Sequence, residues 1–395
     1  MRMFCRRCKN FLRRCVRFVT RRIFFPLVYY IGCLARIDPK LILFIDDTSE
    51  SMPDNFAPLM EQLNAEGFRC VHIAKRQGGR LAQYIQLFRF YFLYAKTKAA
   101  FLVEVSLLTS CCRPRKGTEI VQLWHACGAF KKWGYSTIDL QWGGSARDFK
   151  WFPMHRFYTY ACVSSPEVVP HYAEAFNCAP EVIRPWGVPR SDFYFRPGIA
   201  GQCRQQVLVE FPEIGERKIV LYAPTFRGNS IRSARHEDML NYETMAHALG
   251  ESTVFLLKPH PRARRAIMEE ETPEIVQSFV FDAMHLPIET LLGAADLVIT
   301  DYSSLVFEYA LLGRPMLFYA YDLEDYAGAR DFYYPYLEFI PGDMAWDSDG
   351  LIAGIQRNLF EGQFDAGRVH AFARKFMPAC DGNSTERIIK NVLGV

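Results

Sequence analysis

Four times along this 395-residue chain, a mainly apolar, strand-like run ends in a cluster of polar and cationic residues. Glu119-Ile120-Val121 leads into Gln122-Leu123-Trp124-His125-Ala126-Cys127-Gly128-Ala129-Phe130-Lys131-Lys132, and Lys218–Tyr222 into Ala223-Pro224-Thr225-Phe226-Arg227. Thr253–Leu257 leads into Lys258-Pro259-His260-Pro261-Arg262, and Asp296–Ile299 into Thr300-Asp301-Tyr302-Ser303-Ser304. Short apolar runs alternating with helix-like stretches predict parallel sheets with helices on both faces. Packing alone is a poor reason for polar clusters at successive strand ends. In open α/β sheets those ends are where ligands sit.

The alternation divides into two halves. Strands of the first are Leu41–Ile45, Arg69–Ile73, Ala100–Val103, the run before His125, Tyr158–Val163 and Glu181–Ile183. Helix-like stretches run from Pro53 to Asn64 and from Leu81 to Ala95. The second half restarts at Lys218, with strands near Val254, Val280, Leu297 and Met316. The length suits two domains of about 150–200 residues. The expected division is a basic segment over 1–38, a Rossmann-like domain over 39–200 and a second Rossmann-like domain over 201–395. The Pro- and Gly-bearing stretch from Arg196 to Gly201 reads as the linker. Disorder is excluded, since half the residues are apolar and 15% aromatic.

A neutral histidine at a strand end, His125, can take a proton from an attacking hydroxyl. Gly128 and Lys131 follow on what reads as a turn into a helix, where N–H groups and a cation suit a phosphate. Ser303 and Ser304 stand at the start of a helix over Leu305–Leu312, another phosphate-binding arrangement, with Thr300 and Asp301 just before it. Lys258, His260 and Arg262 alternate with prolines in extended backbone, a cationic comb suited to an anion. Thr225, behind Pro224, and Arg227 offer a hydroxyl and a guanidinium fork for phosphate.

In order, spacing and content these segments resemble the CDP-glycerol glycerophosphotransferase family, the teichoic acid polymerases and primases of Gram-positive envelopes. The likeness runs from near Lys40 to the C-terminus. It implies a GT-B fold, two doubly wound Rossmann-like domains facing a central cleft. It also implies attack of an acceptor hydroxyl, activated by His125, on the β-phosphorus of CDP-glycerol, with release of CMP. By the same resemblance His260 is the second essential histidine, Arg190 contacts the donor, and Asp381-Gly382-x-Ser384-Thr385 is a closing motif. Analogy with GT-B enzymes gives Glu308 the nucleotide ribose. Where family members often carry His-Gly-Thr, this chain has His125-Ala126-Cys127, which removes one hydroxyl.

The net charge of +4 conceals an asymmetry: residues 1–37 carry ten Arg or Lys and no acid. Phe4, Cys8, Phe11, Cys15 and Phe18 recur at helical spacing, with Arg6, Arg13, Arg14, Arg17 and Arg21 largely elsewhere around the wheel. The expectation is a basic amphipathic helix lying on an anionic membrane, at the cytoplasmic face of a bacterial cell. The apolar run Ile23–Ala35 falls short of the roughly 18–20 residues needed to span a bilayer. Twelve scattered cysteines predict neither a disulfide framework nor a zinc site. Asp347-Ser348-Asp349 reads as a helix N-cap rather than a metal site, and the expected reaction requires no metal or cofactor. Expected partners are the CDP-alditol, a lipid-linked or polymeric glycan acceptor and the membrane surface, without nucleic acid; a homo-oligomer is compatible with the sequence. Alternative readings are a CDP-ribitol transferase, a UDP-sugar transferase or epimerase, and an inactive membrane-bound scaffold.

Overall fold

Leu41–Ile45, five apolar residues in a row, forms β1 and is buried along its whole length. Its sheet also contains β2 (Arg69–Ile73), β3 (Ala99–Leu102), β4 (Glu119–Gln122), β5 (Tyr160–Cys162) and β6 (Ile183–Arg184). In this computed structural model, which describes residues 15–138, 140, 143–225, 227, 239–259, 273–329 and 331–395, the strands are all parallel. Their order is β2-β1-β3-β4-β5-β6.

A second parallel sheet contains β7 (Lys218–Tyr222), β8 (Thr253–Leu257), β9 (Val280–Asp282), β10 (Leu297–Thr300), β11 (Met316–Tyr319) and β12 (Asp343–Ala345). The order β12-β11-β10-β7-β8-β9 is that of the doubly wound nucleotide-binding fold. Its direction of winding reverses between β7 and β10, whose register pairs Ile299 with Tyr222. Each sheet has its own core, one around Phe44, Phe101 and Val121, the other around Val220, Phe255 and Ile299.

The chain forms two compact units. The first holds the described residues up to His125, then Trp133–Arg190 and Asn383–Val395; the second holds Ala126–Lys132 and Ser191–Gly382. This differs from the expected break near residue 200. The Arg196–Gly201 stretch belongs to the second unit, where a helix over Ile199–Glu210 buries Ile199, Cys203 and Val207. A Cβ on Gly293 would stand 2.5 Å from Cys203 Sγ, so glycine is required for that helix to pack. The final helix, Ser384–Leu393, puts Ile388, Ile389 and Val392 into the core of the first unit beside Leu59 and Leu63. Burial of such a side chain contributes about 1.5–3 kcal/mol, enough to fix where the chain end goes.

Residues 15–32 are helical, with a π-type turn over Thr20–Phe24. Phe25, Val28, Tyr29 and Gly32 are buried, and the helix packs on the Arg80–Tyr94 helix. At Gly32 a Cβ would approach that of Ala95 to 2.8 Å. The basic segment is therefore joined to the first unit in its described part. Phe4, Arg6, Cys8, Phe11, Arg13 and Arg14 lie outside the described residues. No described helix is long and apolar enough to cross a membrane.

Candidate active site

His125 lies three residues beyond β4 and in the first unit, after a turn that its neighbours impose. Trp124 has φ +59°, a left-handed conformation costing about 1–2 kcal/mol for a residue with a side chain. Two hydrogen bonds secure it: its N–H donates to Gln122 Oε1 at 2.9 Å, and its carbonyl accepts from Asn55 Nδ2 at 2.8 Å. Asn55 is buried, and its Oδ1 accepts the Arg190 N–H at 3.0 Å. Arg190 Nη1 in turn donates to the His125 carbonyl at 2.9 Å. The imidazole is about half exposed, with Nδ1 3.0 Å from Glu104 Oε1. A proton on Nδ1 donated to Glu104 leaves Nε2 as the acceptor, the tautomer a general base requires.

Aromatic rings form the wall behind it. Trp124 lies 4.3 Å from the His125 ring and 5.6 Å from that of His155. His155 is buried, with Nδ1 3.0 Å from Tyr158 Oη, while Tyr158 Oη also accepts from Gln122 Nε2. Burial first, and His125 second, push the His155 pKa down to about 3, so its ring is neutral.

Sequence reasoning put Gly128 and Lys131 on a turn into a helix, and a short 3₁₀ helix follows at Gly134–Thr137. Ala126–Lys132 itself belongs to the second unit. Gly128 has φ +63°, and a Cβ there would come within 2.2 Å of the Phe307 ring. The Phe130 ring stacks on Phe339 at 4.3 Å and on Phe332 at 4.7 Å. Lys131 Nζ donates to Tyr326 Oη at 3.1 Å, and Lys132 pairs with Asp331 at 2.5 Å. Aromatic burial of Phe130 explains why this segment leaves the first unit.

In the second unit, the strand-end residues of β7 and β10 meet at the switch point. Arg227 is nearly buried and uses its whole fork: Nε and Nη2 donate to Asp322 at 2.6 and 2.9 Å, and Nη1 to Asp301 at 2.8 Å and Thr225 Oγ1 at 3.1 Å. Asp301 also accepts the Thr225 N–H at 2.9 Å. The Arg227 pKa is raised: burial opposes the rise, and the Asp301 and Asp322 charges overcome it. The fork thus braces the loop after Pro224, whereas sequence reasoning aimed it at phosphate. Thr300 is fully buried and donates to the Ala223 carbonyl at 2.7 Å.

Ser303 Oγ accepts the Leu305 N–H at 3.4 Å. Ser304 makes no side-chain cap to the Leu305–Ala310 helix, which is shorter than the Leu305–Leu312 expected. Glu308 is buried in that helix. Lys258 Nζ donates to the Met284 and Leu286 carbonyls at 2.5 and 2.6 Å, and burial lowers its pKa. His260 and Arg262 lie outside the described residues. Asp347 caps the Ser348–Leu359 helix by accepting the Gly350 N–H at 2.8 Å, as its position in the sequence suggests.

Sequence reasoning missed Glu104, Asn55 and Asp322. Glu104 and Asp322 each follow closely on an apolar strand run, the signal that identified His125; for Asn55 there was no signal.

Two doubly wound parallel-sheet units, one presenting a braced histidine and the other a polar switch point, define the class. Residues 27–394 match the model of a family described as CDP-glycerol:poly(glycerophosphate) glycerophosphotransferase, and the chain belongs to that family. The teichoic acid poly(ribitol-phosphate) polymerase of Bacillus spizizenii is 34% identical over 373 residues, 93% of this chain; the chain spans 58% of that polymerase's length. The teichoic acid ribitol-phosphate primase of the same organism is 34% identical over 379 residues, covering 94% of this chain and 95% of the primase. A solved structure of the wall teichoic acid polymerase TagF soaked with CDPG shares the fold, with TM-score 0.76, 20% identity and 97% of each chain covered.

Proposed function

We propose that this chain transfers glycerol phosphate from CDP-glycerol to a hydroxyl of a cell-surface glycopolymer or its lipid-linked precursor. The acceptor oxygen attacks the β-phosphorus, the bond from that phosphorus to the bridging oxygen breaks, and CMP leaves with the electron pair. His125 Nε2 takes the hydroxyl proton. The observation that carries this is the bracing of His125: Glu104 orients the ring, and Arg190 and Asn55 fix the backbone on either side. Such pre-organisation places a base at the attacking oxygen without reorganisation in the transition state.

The donor is assigned to the second unit's switch point, where Thr225, Asp301, Ser303 and Ser304 gather and Arg227 holds the loops in register. Gly128, Lys131, Lys258 and Thr300 support that framework through backbone and aromatic contacts, and Pro224 stiffens the entry to the loop. Arg190 acts through His125, Glu308 is assigned to the ribose, and His260 and Arg262 to the donor phosphates.

A second reading is transfer of ribitol phosphate from CDP-ribitol, favoured by the two Bacillus spizizenii relatives that are named for ribitol phosphate. Incubation of the protein with each CDP-alditol and a synthetic lipid-linked acceptor, followed by mass spectrometry, separates the two. CMP with a product heavier by glycerol phosphate supports the first, and by ribitol phosphate the second. Absence of CMP from both sinks the transferase reading.

The protein is proposed to work at the cytoplasmic face of the membrane, attached peripherally. Val19, Ile23 and Leu27 are exposed on one helix, and Leu81, Tyr84 and Ile85 on the Arg80–Tyr94 helix. Phe24 and Phe88, both partly exposed, meet edge to face at 5.7 Å and join the two apolar surfaces. An apolar face of this kind beside arginines suits the headgroup boundary of a bilayer.

A further inference from the structure

Four arginines gather on the first unit beside a cavity that the reaction as described does not use. Arg17 and Arg21 lie over the Phe152 ring at 4.9 and 5.7 Å. Arg21, Arg22 and Arg156 line one recess together with Trp151 and Phe152. Among the described residues no carboxylate pairs with any of the four. Burial lowers the pKa of Arg21 and Arg156, with Arg17 and Arg22 respectively adding to the effect. Crowded guanidinium groups without an acid favour a multiply charged anion.

Arg156 and Pro153 also line a second cavity of about 250 Å³, whose other walls include Tyr135, His155, Tyr158 and Phe176. Arg156 is set between the two by strained backbone: its neighbours His155 and Phe157 have φ +52° and +68°. Left-handed conformations at non-glycine residues persist where surrounding structure enforces them, and they concentrate at ligand clamps. His155, on the wall of that cavity, and His125 both pack on Trp124, with ring centroids 5.6 and 4.3 Å away.

We infer that the Arg17, Arg21, Arg22 and Arg156 cluster binds a diphosphate group of the acceptor, whose adjoining sugar occupies the aromatic cavity walled by His155. This deepens the transferase reading by assigning its acceptor site. An acceptor of this class carries a glycosyl diphosphate, with anionic oxygens for the arginines and a ring for the aromatic walls.

The test starts with inorganic pyrophosphate and the full-length protein, by calorimetry, and needs no turnover. The intact protein should bind it, and Arg21→Ala/Arg156→Ala should weaken binding at least tenfold with unchanged melting temperature. With a diphosphate-linked acceptor, KM for the acceptor should rise at least tenfold while kcat and the donor KM stay the same. If the double variant melts early, pyrophosphate should instead protect Arg21 and Arg156 of the intact protein from phenylglyoxal, read by peptide mass. Absence of pyrophosphate binding, or of protection, overturns the assignment. So does a variant that loses only its sedimentation with phosphatidylglycerol vesicles, because the cluster would then serve lipid headgroups. If pyrophosphate binds but no CDP-alditol releases CMP, the transferase reading fails and the anion site stands.

Discussion

Arg227 grips Asp322 with two parallel hydrogen bonds, Nε to Oδ2 at 2.6 Å and Nη2 to Oδ1 at 2.9 Å, across 95 residues of sequence. The remaining nitrogen reaches Asp301, so one guanidinium ties the ends of β7 and β10 to the loop after β11. Removing one partner of such a pair leaves an uncompensated charge in a poorly solvated place. Asp322→Ala should destabilise the second unit by about 3–5 kcal/mol, and Arg227→Met should cost more, since it takes the counter-charge from the buried Asp301 as well as from Asp322. Urea denaturation of the two variants checks this; a loss below about 1 kcal/mol in Asp322→Ala, the level of an exposed pair, would show the brace to be unimportant.

Gly128 offers a sharper steric test. Its backbone is left-handed, and the Phe307 ring occupies the space a Cβ would need. Gly128→Ala combines about 1–2 kcal/mol of backbone strain with about 1–3 kcal/mol of overpacking. The expected outcome is a loss of roughly 2–5 kcal/mol, read from the urea midpoint, that Phe307→Leu in the same chain partly relieves. A neutral Gly128→Ala would refute the close approach.

His155 predicts a pH dependence. Its pKa sits near 3 in the folded chain, against an ordinary value near 6.5 once unfolded. The unfolded state therefore binds one more proton between those values, and the contribution of the neutral ring is fully present above about pH 6.5. Stability falls as pH drops through that window, by up to about 1.4 kcal/mol per pH unit from this one group. His155→Gln should flatten the stability profile of the variant relative to the intact protein between pH 6 and about 4. Parallel profiles would mean that the ring is already protonated in the fold.

The strands were legible because a parallel sheet buried on both faces permits little besides apolar residues, as in Leu41–Ile45 and Leu297–Thr300. The unit boundaries were not, because tertiary packing decided them. Gly198 and Gly201 looked like a linker, yet the apolar residues of Ile199–Glu210 had a surface to bury against. Nothing local in Ile388 and Ile389 distinguishes a helix of the first unit from one of the second. His125 was found through its place at a strand end. The job of Arg227 was misjudged because its carboxylate partners lie 74 and 95 residues away.

The remaining prediction concerns Glu104 and His125. If Glu104 orients the imidazole so that Nε2 takes the acceptor proton, His125→Ala should slow transfer by about two to four powers of ten. Donor KM should change little, since a base acts mainly in the transition state. Glu104→Gln keeps the shape but removes the charge from the hydrogen bond at Nδ1. Its expected loss is about 1.5–3 kcal/mol of transition-state stabilisation, roughly ten- to 150-fold in kcat. A buried structural histidine would instead lose folded protein, with activity falling in proportion; His125 is half exposed, so melting temperature should hold in both variants. A well-folded His125→Ala protein with near-normal turnover would take the histidine out of the reaction, and Glu104 with it.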